Sequence, residues 1–239
     1  MRSYIDKLKN IFSNTEIIDL TLTLENGMPA WPTQARYSSV VYESYDQGDT
    51  ALHSMIIFSE HTGTHIDAPR HFVKGAAGID QVPPDTVIGR LIFIDASHLK
   101  SNEVLPSSFI KAFEEKNVPL EKKDIVLFRF GWDEKYALQP YSKDFLKDWP
   151  GLSEEAGRYL VSKEVAAVGT DAMSLDAYNV EVNVCHNLLL GAGIPIIENV
   201  TNLKKLPPVS FAIGLPNKFK NGSGSPLRLI AIVENSEMR

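Results

Sequence analysis

Between His61 and His71 the chain reads His-Thr-Gly-Thr-His-Ile-Asp-Ala-Pro-Arg-His, which places three of its six histidines and an aspartate within eleven residues. Imidazole nitrogen and carboxylate oxygen are donors that divalent zinc, manganese and iron accept, and a site with protein ligands plus open positions suits hydrolysis. A single loop histidine is commonly satisfied by backbone hydrogen bonds, and a loop aspartate commonly caps a turn. Three imidazoles packed together are a different matter. They suppress one another's protonation and gain nothing unless a cation or a substrate uses them. His61, His65, Asp67 and His71 are therefore candidates for a metal-dependent hydrolytic site.

A His-x-x-x-His pair also suits one face of a helix. Gly63, two threonines and Pro69 are poor helix material, so the segment reads as a tight loop that folds back to present its ligands. Gly63 permits a left-handed turn and Pro69 stiffens the approach to His71. Two distant residues are further candidates. His186 lies on an expected helix beside Cys185, whose thiol reads as buried and apolar. Glu198 ends the apolar run Ile194-Pro-Ile-Ile197, where an unpaired carboxylate is costly to bury and a metal would supply its partner.

The elements that must hold these residues follow from pattern. Ile17 to Leu24 reads as a strand, and Glu25 to Pro29 as a turn. Residues 37–44 and 52–58 read as a hairpin whose second strand runs toward His61. Apolar runs at 91–95, 124–130, 165–170 and 194–197 are typical of buried strands. Between them lie expected helices at 107–117, with Ser108 as cap, at 153–162, with Ser153 opening it, and at 181–190, stopped by Gly191-Ala-Gly193. Asp171 and Asp176 fall in the loop after the third run. Residues 132–150, aromatic and irregular, read as a surface excursion over a pocket or interface, and residues 209–215 and 227–233 as closing strands. The sum is a single α/β domain over residues 1–239 with a mixed sheet.

A formal charge of −6, with no cluster of Lys and Arg, argues against a general nucleic-acid binder. Small-molecule partners are expected instead. The lone cysteine offers no disulfide framework. The stretch Tyr4 to Phe12 carries charges unlike a signal peptide, and no run reaches the roughly 18 apolar residues of a membrane span. A cytoplasmic protein without membrane attachment is the expectation.

The same residues resemble a known signature. The segment from His61 to His71 is similar to the His-x-Gly-Thr-His-x-Asp-x-Pro-x-His motif of the cyclase family of metal-dependent hydrolases, which includes bacterial kynurenine formamidases and isatin hydrolases. The resemblance extends to Asp19-Leu-Thr-Leu, Met28-Pro-Ala-Trp31-Pro32, Gly169-Thr-Asp171-Ala-Met-Ser174-Leu-Asp176, His186 to Gly191, Glu198-Asn199 and Gly224-Ser-Pro-Leu-Arg228. It implies a compact fold of swivelling β/β/α character. It also implies His61, His65 and Asp67 as metal ligands, with Asp67 bridging to a second ion held by His186 and Glu198. His71 is implied as catalytic acid or base and Trp31 as a substrate-pocket aromatic. One or two ions, zinc or manganese, and a homodimer whose subunits complete each other's sites are implied as well. The expected reaction is hydrolysis of an amide, foremost an aryl formamide of the N-formylkynurenine type. A cyclic amide or lactone is a second possibility, and metal-dependent ligand binding without turnover a third.

Overall fold

The computed structural model describes residues 3–235. Twelve strands and four α-helices follow in chain order. Helix α1 (Tyr4–Ser13) leads into β1 (Thr15–Asp19), the hairpin β2 (Ser38–Glu43) and β3 (His53–Ile57), and the three-residue β4 (His65–Asp67). Then come β5 (Ile88–Asp95), β6 (Val104–Leu105), α2 (Ser107–Lys116), β7 (Ile125–Arg129), β8 (Gly151–Leu152), α3 (Glu154–Ser162) and β9 (Ala167–Thr170). Helix α4 (Val184–Gly191), β10 (Ile196–Glu198), β11 (Val209–Pro216) and β12 (Gly224–Glu234) complete the described residues.

Eight strands form one mixed sheet in the order β1-β12-β11-β5-β7-β9-β10-β4. Strands β5, β7, β9 and β10 are mutually parallel, because helices carry the chain back between them. The first half of β12 also pairs with β4, so the sheet closes into a barrel. Side chains alternate across its wall. Leu91, Phe93, Ile125, Leu127 and Ile197 join one apolar cluster with Leu229 and Ala231. Ile92, Ile94, Val126, Phe128 and Ile196 face the other way, against Ile110 of α2, Leu160 of α3 and Leu189 of α4. Continuous apolar runs in the parallel strands thus serve two cores at once.

Several sequence expectations are corrected at their edges. Strand β1 stops at Asp19, and Leu20 to Leu24 leave the sheet. Helix α2 begins after Pro106, and Ser107 donates its hydroxyl to Glu155 (2.6 Å), so Ser108 is not a cap. Helix α4 starts at Val184, three residues later than the apolar pattern suggests. Ser153 does cap α3 by accepting from the Ala156 N–H. The hairpin β2-β3 forms as expected.

Residues 132–150 are irregular but do not merely skirt the surface. Trp132, Phe145 and Trp149 are buried in the helix-side core. The Trp149 indole donates to the Asp176 carbonyl (2.9 Å), and the Gln139 N–H to the Gly27 carbonyl (2.8 Å). The segment braces the loops on either side of the histidine cluster.

Candidate metal centre

The histidine motif is only partly loop. Its middle, His65–Asp67, is strand β4, wedged between β10 and β12, which corrects the reading of the whole segment as a folded-back loop. Three residues are too few to show a period of two in sequence, yet strand geometry decides the site. Glu198 of β10 lies directly opposite His65, so both side chains leave the same face, and Asp67 joins them two residues on. Ile66 points into the opposite core. On the other flank, Gly224 sits opposite Asp67. A Cβ there would fall 2.7 Å from His61 Cε1 and 2.8 Å from the Ile66 carbonyl, so only glycine lets the His61 ring lie down on β12. Gly63 takes the left-handed turn its position suggested, with φ +61.

These elements bring together all five expected ligands. His61, His65 and Asp67 form one group of potential metal donors, and Asp67, His186 and Glu198 a second. Asp67 belongs to both, with a different oxygen turned to each. Its Oδ1 is 2.6 Å from His61 Nδ1 and 3.4 Å from His65 Nε2, whereas Oδ2 is 3.5 Å from His186 Nε2. Glu198 Oε2 lies 3.5 Å from His65 Nε2 and Oε1 3.2 Å from His186 Nε2. No hydrogen bond satisfies Glu198 Oε1 although it is buried. His71 stands beside the group, its ring tilted against that of His61.

The outer nitrogens of two imidazoles are spoken for. His65 Nδ1 donates to the Gly63 carbonyl (2.8 Å), and His186 Nδ1 to Asp176 Oδ2 (2.6 Å), leaving each Nε2 to face the carboxylates. Asp176 also accepts the Cys185 and His186 backbone N–H groups (2.8 and 3.1 Å), so one carboxylate caps α4 and orients its histidine. The sequence places Asp176 in a loop without assigning it this work. An aspartate ten residues before a candidate ligand is too common to stand out.

Charge accounts for the rest. Burial works against a charged His65, but Asp67, Glu198 and the Gly63 carbonyl outweigh it and raise its pKa. Burial likewise opposes charge on His186, and Asp176, Asp67 and Glu198 lift its pKa well above the usual range. Burial would push Asp67 up, yet His186, His61 and His65 hold it well below an ordinary carboxyl. Glu198 is raised, by burial and by the Asp67 charge. A buried cluster of carboxylates thus draws positive charge to itself, and an orphaned Glu198 oxygen awaits a partner. Those are the needs a divalent cation meets, with protons released as it binds. The donors present fit such an ion. The Cys185 thiol does not belong to them: burial pushes its pKa up, and it donates to the Leu152 carbonyl.

His71 differs from its neighbours. Burial lowers its pKa to about 4, and the His61, His186 and His65 charges assist against the pull of Asp67. The ring is neutral at physiological pH, which makes it a proton acceptor in its resting state. A cavity of ~360 Å³ opens over the cluster, walled by Trp31, Phe72 and Met173 with His71 at its side. Trp31 is braced by Trp149, with ring centroids 5.9 Å apart.

A closed α/β barrel carrying a His/Asp/Glu centre on antiparallel β4, on α4 and at the end of parallel β10 is the arrangement of a metal-dependent hydrolase. The family described as putative cyclase matches residues 18–177, and the chain belongs to that family. Among its relatives, a kynurenine formamidase of Bacillus cereus is 26% identical over 220 residues, covering 90% of this chain and 97% of that one. An isatin hydrolase of Roseibium aggregatum is 28% identical over 200 residues, covering 74% and 73%. The structure of isatin hydrolase A from Labrenzia aggregata bound to benzyl benzoate superposes with a TM-score of 0.88 at 29% identity, covering 98% of this chain and 100% of that one.

Proposed function

We propose that this chain hydrolyses the formyl amide of an aromatic amine, a reaction of the N-formylkynurenine type, at a centre of one or two divalent ions, zinc or manganese. The observation that carries the reading is Asp67, whose two oxygens face two separate donor groups beneath an aromatic-walled cavity. In this reading His61, His65 and Asp67 would hold one ion, and Asp67, His186 and Glu198 would hold a second. When bound there, a divalent ion would supply Lewis acidity for activating a water and stabilising negative charge on the carbonyl oxygen. His71, neutral and beside the ligands, takes the proton from the attacking water and returns it to the departing nitrogen. Trp31 and Phe72 flank the aryl group of the substrate, and the braced Trp149 keeps Trp31 in place.

A cyclic aryl amide is the second reading, favoured by the likeness to isatin hydrolase A across 98% of this chain. The same residues serve both, since each reaction adds water to an amide carbonyl beside an aromatic ring. The discriminating experiment supplies zinc- or manganese-loaded protein with N-formylkynurenine and with isatin and identifies products by mass. Release of formate with a kcat/KM at least about tenfold above that for isatin is expected. The opposite order establishes the second reading, and turnover of neither by metal-replete protein overturns both in favour of ligand binding alone.

We read residues 1–239 as one domain of a homodimer, in the cytoplasm. The apolar clusters support the first part, since one core gathers residues from Ile18 to Val233. The hairpin β2-β3 supports the second. Val41 and Ile56 on one side and Val40 and Met55 on the other are each about half exposed, and a two-stranded hairpin open on both faces is marginal by itself. A single buried cysteine suits a reducing compartment. No helix among the described residues is long and apolar enough to cross a membrane.

A further inference from the structure

His61 differs from His65 and His186 in turning Nδ1, not Nε2, toward the carboxylates. Nδ1 is 2.6 Å from Asp67 Oδ1, and Nε2 is 2.9 Å from Ser223 Oγ. Ser223 is in turn held by Glu60. The Glu60 Oε2 atom accepts the Ser223 hydroxyl at 2.6 Å and the Ser223 backbone N–H at 2.8 Å. A serine hydroxyl has one proton to give. Two acceptors lie within reach of it, and the carboxylate is the closer and the charged one, so the proton goes to Glu60. The remaining role of Ser223 Oγ toward His61 is to accept, which requires a proton on Nε2.

We propose that Glu60 and Ser223 are positioning residues that hold His61 as its Nε2–H tautomer, so that Nδ1 is the atom this ring presents to the metal. The inference rests on the metal-centre reading above. It makes His61 the mirror image of His65 and His186, whose Nδ1 atoms donate outward while Nε2 faces the carboxylates. The reversal has a steric cause. The His61 ring lies against Gly224, where a Cβ would stand 3.0 Å from Nδ1 and 2.7 Å from Cε1, and in that seat Nδ1 is the nitrogen facing Asp67. An imidazole can turn about its Cβ–Cγ bond, and a fixed acceptor at Nε2 is what prevents it here. Outer partners of this kind typically contribute ten- to hundredfold to metal affinity.

The test uses the full chain and zinc alone. Long-range proton–nitrogen NMR on zinc-loaded protein with isotope-labelled histidine is expected to show His61 protonated at Nε2 and shifted by the metal at Nδ1. Chelator competition is expected to show zinc affinity lowered about tenfold or more in Ser223→Ala, with His61 sampling both tautomers. Glu60→Gln, which leaves Ser223 in place and alters only its partner, is expected to weaken zinc in the same sense and carries the test if Ser223→Ala unfolds. A proton on Nδ1 in the zinc-loaded wild type overturns the proposal, as do zinc affinities within about twofold of wild type in both variants. A wild type that binds no zinc overturns the metal-centre reading and this proposal with it, so the two failures are told apart by the wild-type measurement.

Discussion

The His71 imidazole lies on that of His61, with ring centroids 4.1 Å apart and planes tilted by 31°. A residue assigned to proton transfer therefore rests on one assigned to hold the ion, and replacing it separates the two roles. His71→Ala is expected to lower kcat by about 10²- to 10⁴-fold, the usual contribution of a general base. Metal content, measured by elemental analysis of the purified variant, is expected to stay at the wild-type value. Loss of metal from that variant would make His71 a ligand instead.

The shared carboxylate sets a stoichiometric prediction. With Asp67 in both donor groups, Asp67→Ala is expected to abolish binding of every ion, whereas His186→Ala removes one ion of two. Elemental analysis after loading with zinc, and again with manganese, reads the count directly. Equal metal content in His186→Ala and wild type would mean that one ion, held by His61, His65 and Asp67, is the whole centre.

A second buried acid, Asp171, gives stability a dependence on pH. Burial raises Asp171 to about 7 even though the Phe130 and Trp132 backbone N–H groups donate to it, and the Asp133 charge adds to the rise. The folded chain holds this proton more tightly than the unfolded chain, whose aspartate keeps the ordinary value. The burden on folding is therefore full above pH about 7 and is relieved as pH falls toward 4. Between pH 8 and pH 6 the relief is on the order of 1 kcal/mol, or a few degrees in unfolding midpoint for a chain of this size. Comparing wild type with Asp171→Asn by calorimetry at each pH isolates the effect. Asp171→Asn, which cannot ionise, is expected to gain stability relative to wild type as pH rises from 6 to 8, and parallel curves would show that Asp171 does not titrate in this range.

Assembly is tested on the exposed hairpin. Val41→Glu together with Ile56→Glu places two charges on one of its two exposed faces without touching the barrel core. Sedimentation velocity is expected to show a dimer for wild type and a monomer for the double variant. Activity lost in the monomer while its metal content persists would show that a site needs its neighbour. A wild type that sediments as a monomer would refute the dimer.

Much of this protein is visible along the chain because short-range rules govern it. Apolar runs at 125–129 and 167–170 announce strands whatever they pair with, and the spacing of His61, His65, Asp67 and His71 marks a candidate metal-dependent site whatever holds it. His186 and Glu198 stand out as candidates too, one on an expected helix beside Cys185 and the other as a carboxylate at an apolar strand's end. What the sequence could not show depends on contacts between distant residues. His65 and Glu198 meet because β4 and β10 pair in one register, and a slip of one residue would turn each to the opposite face. Closure of the barrel by β12 on β4 leaves no mark in either segment, and Ser223 reaches His61 across 162 positions. The residue types and spacing determined which groups can bind a metal, through the chemistry of their donor atoms. The tertiary structure decided which nitrogen each imidazole offers and which oxygen of Asp67 it meets, because those choices belong to hydrogen bonds between strands far apart in the chain.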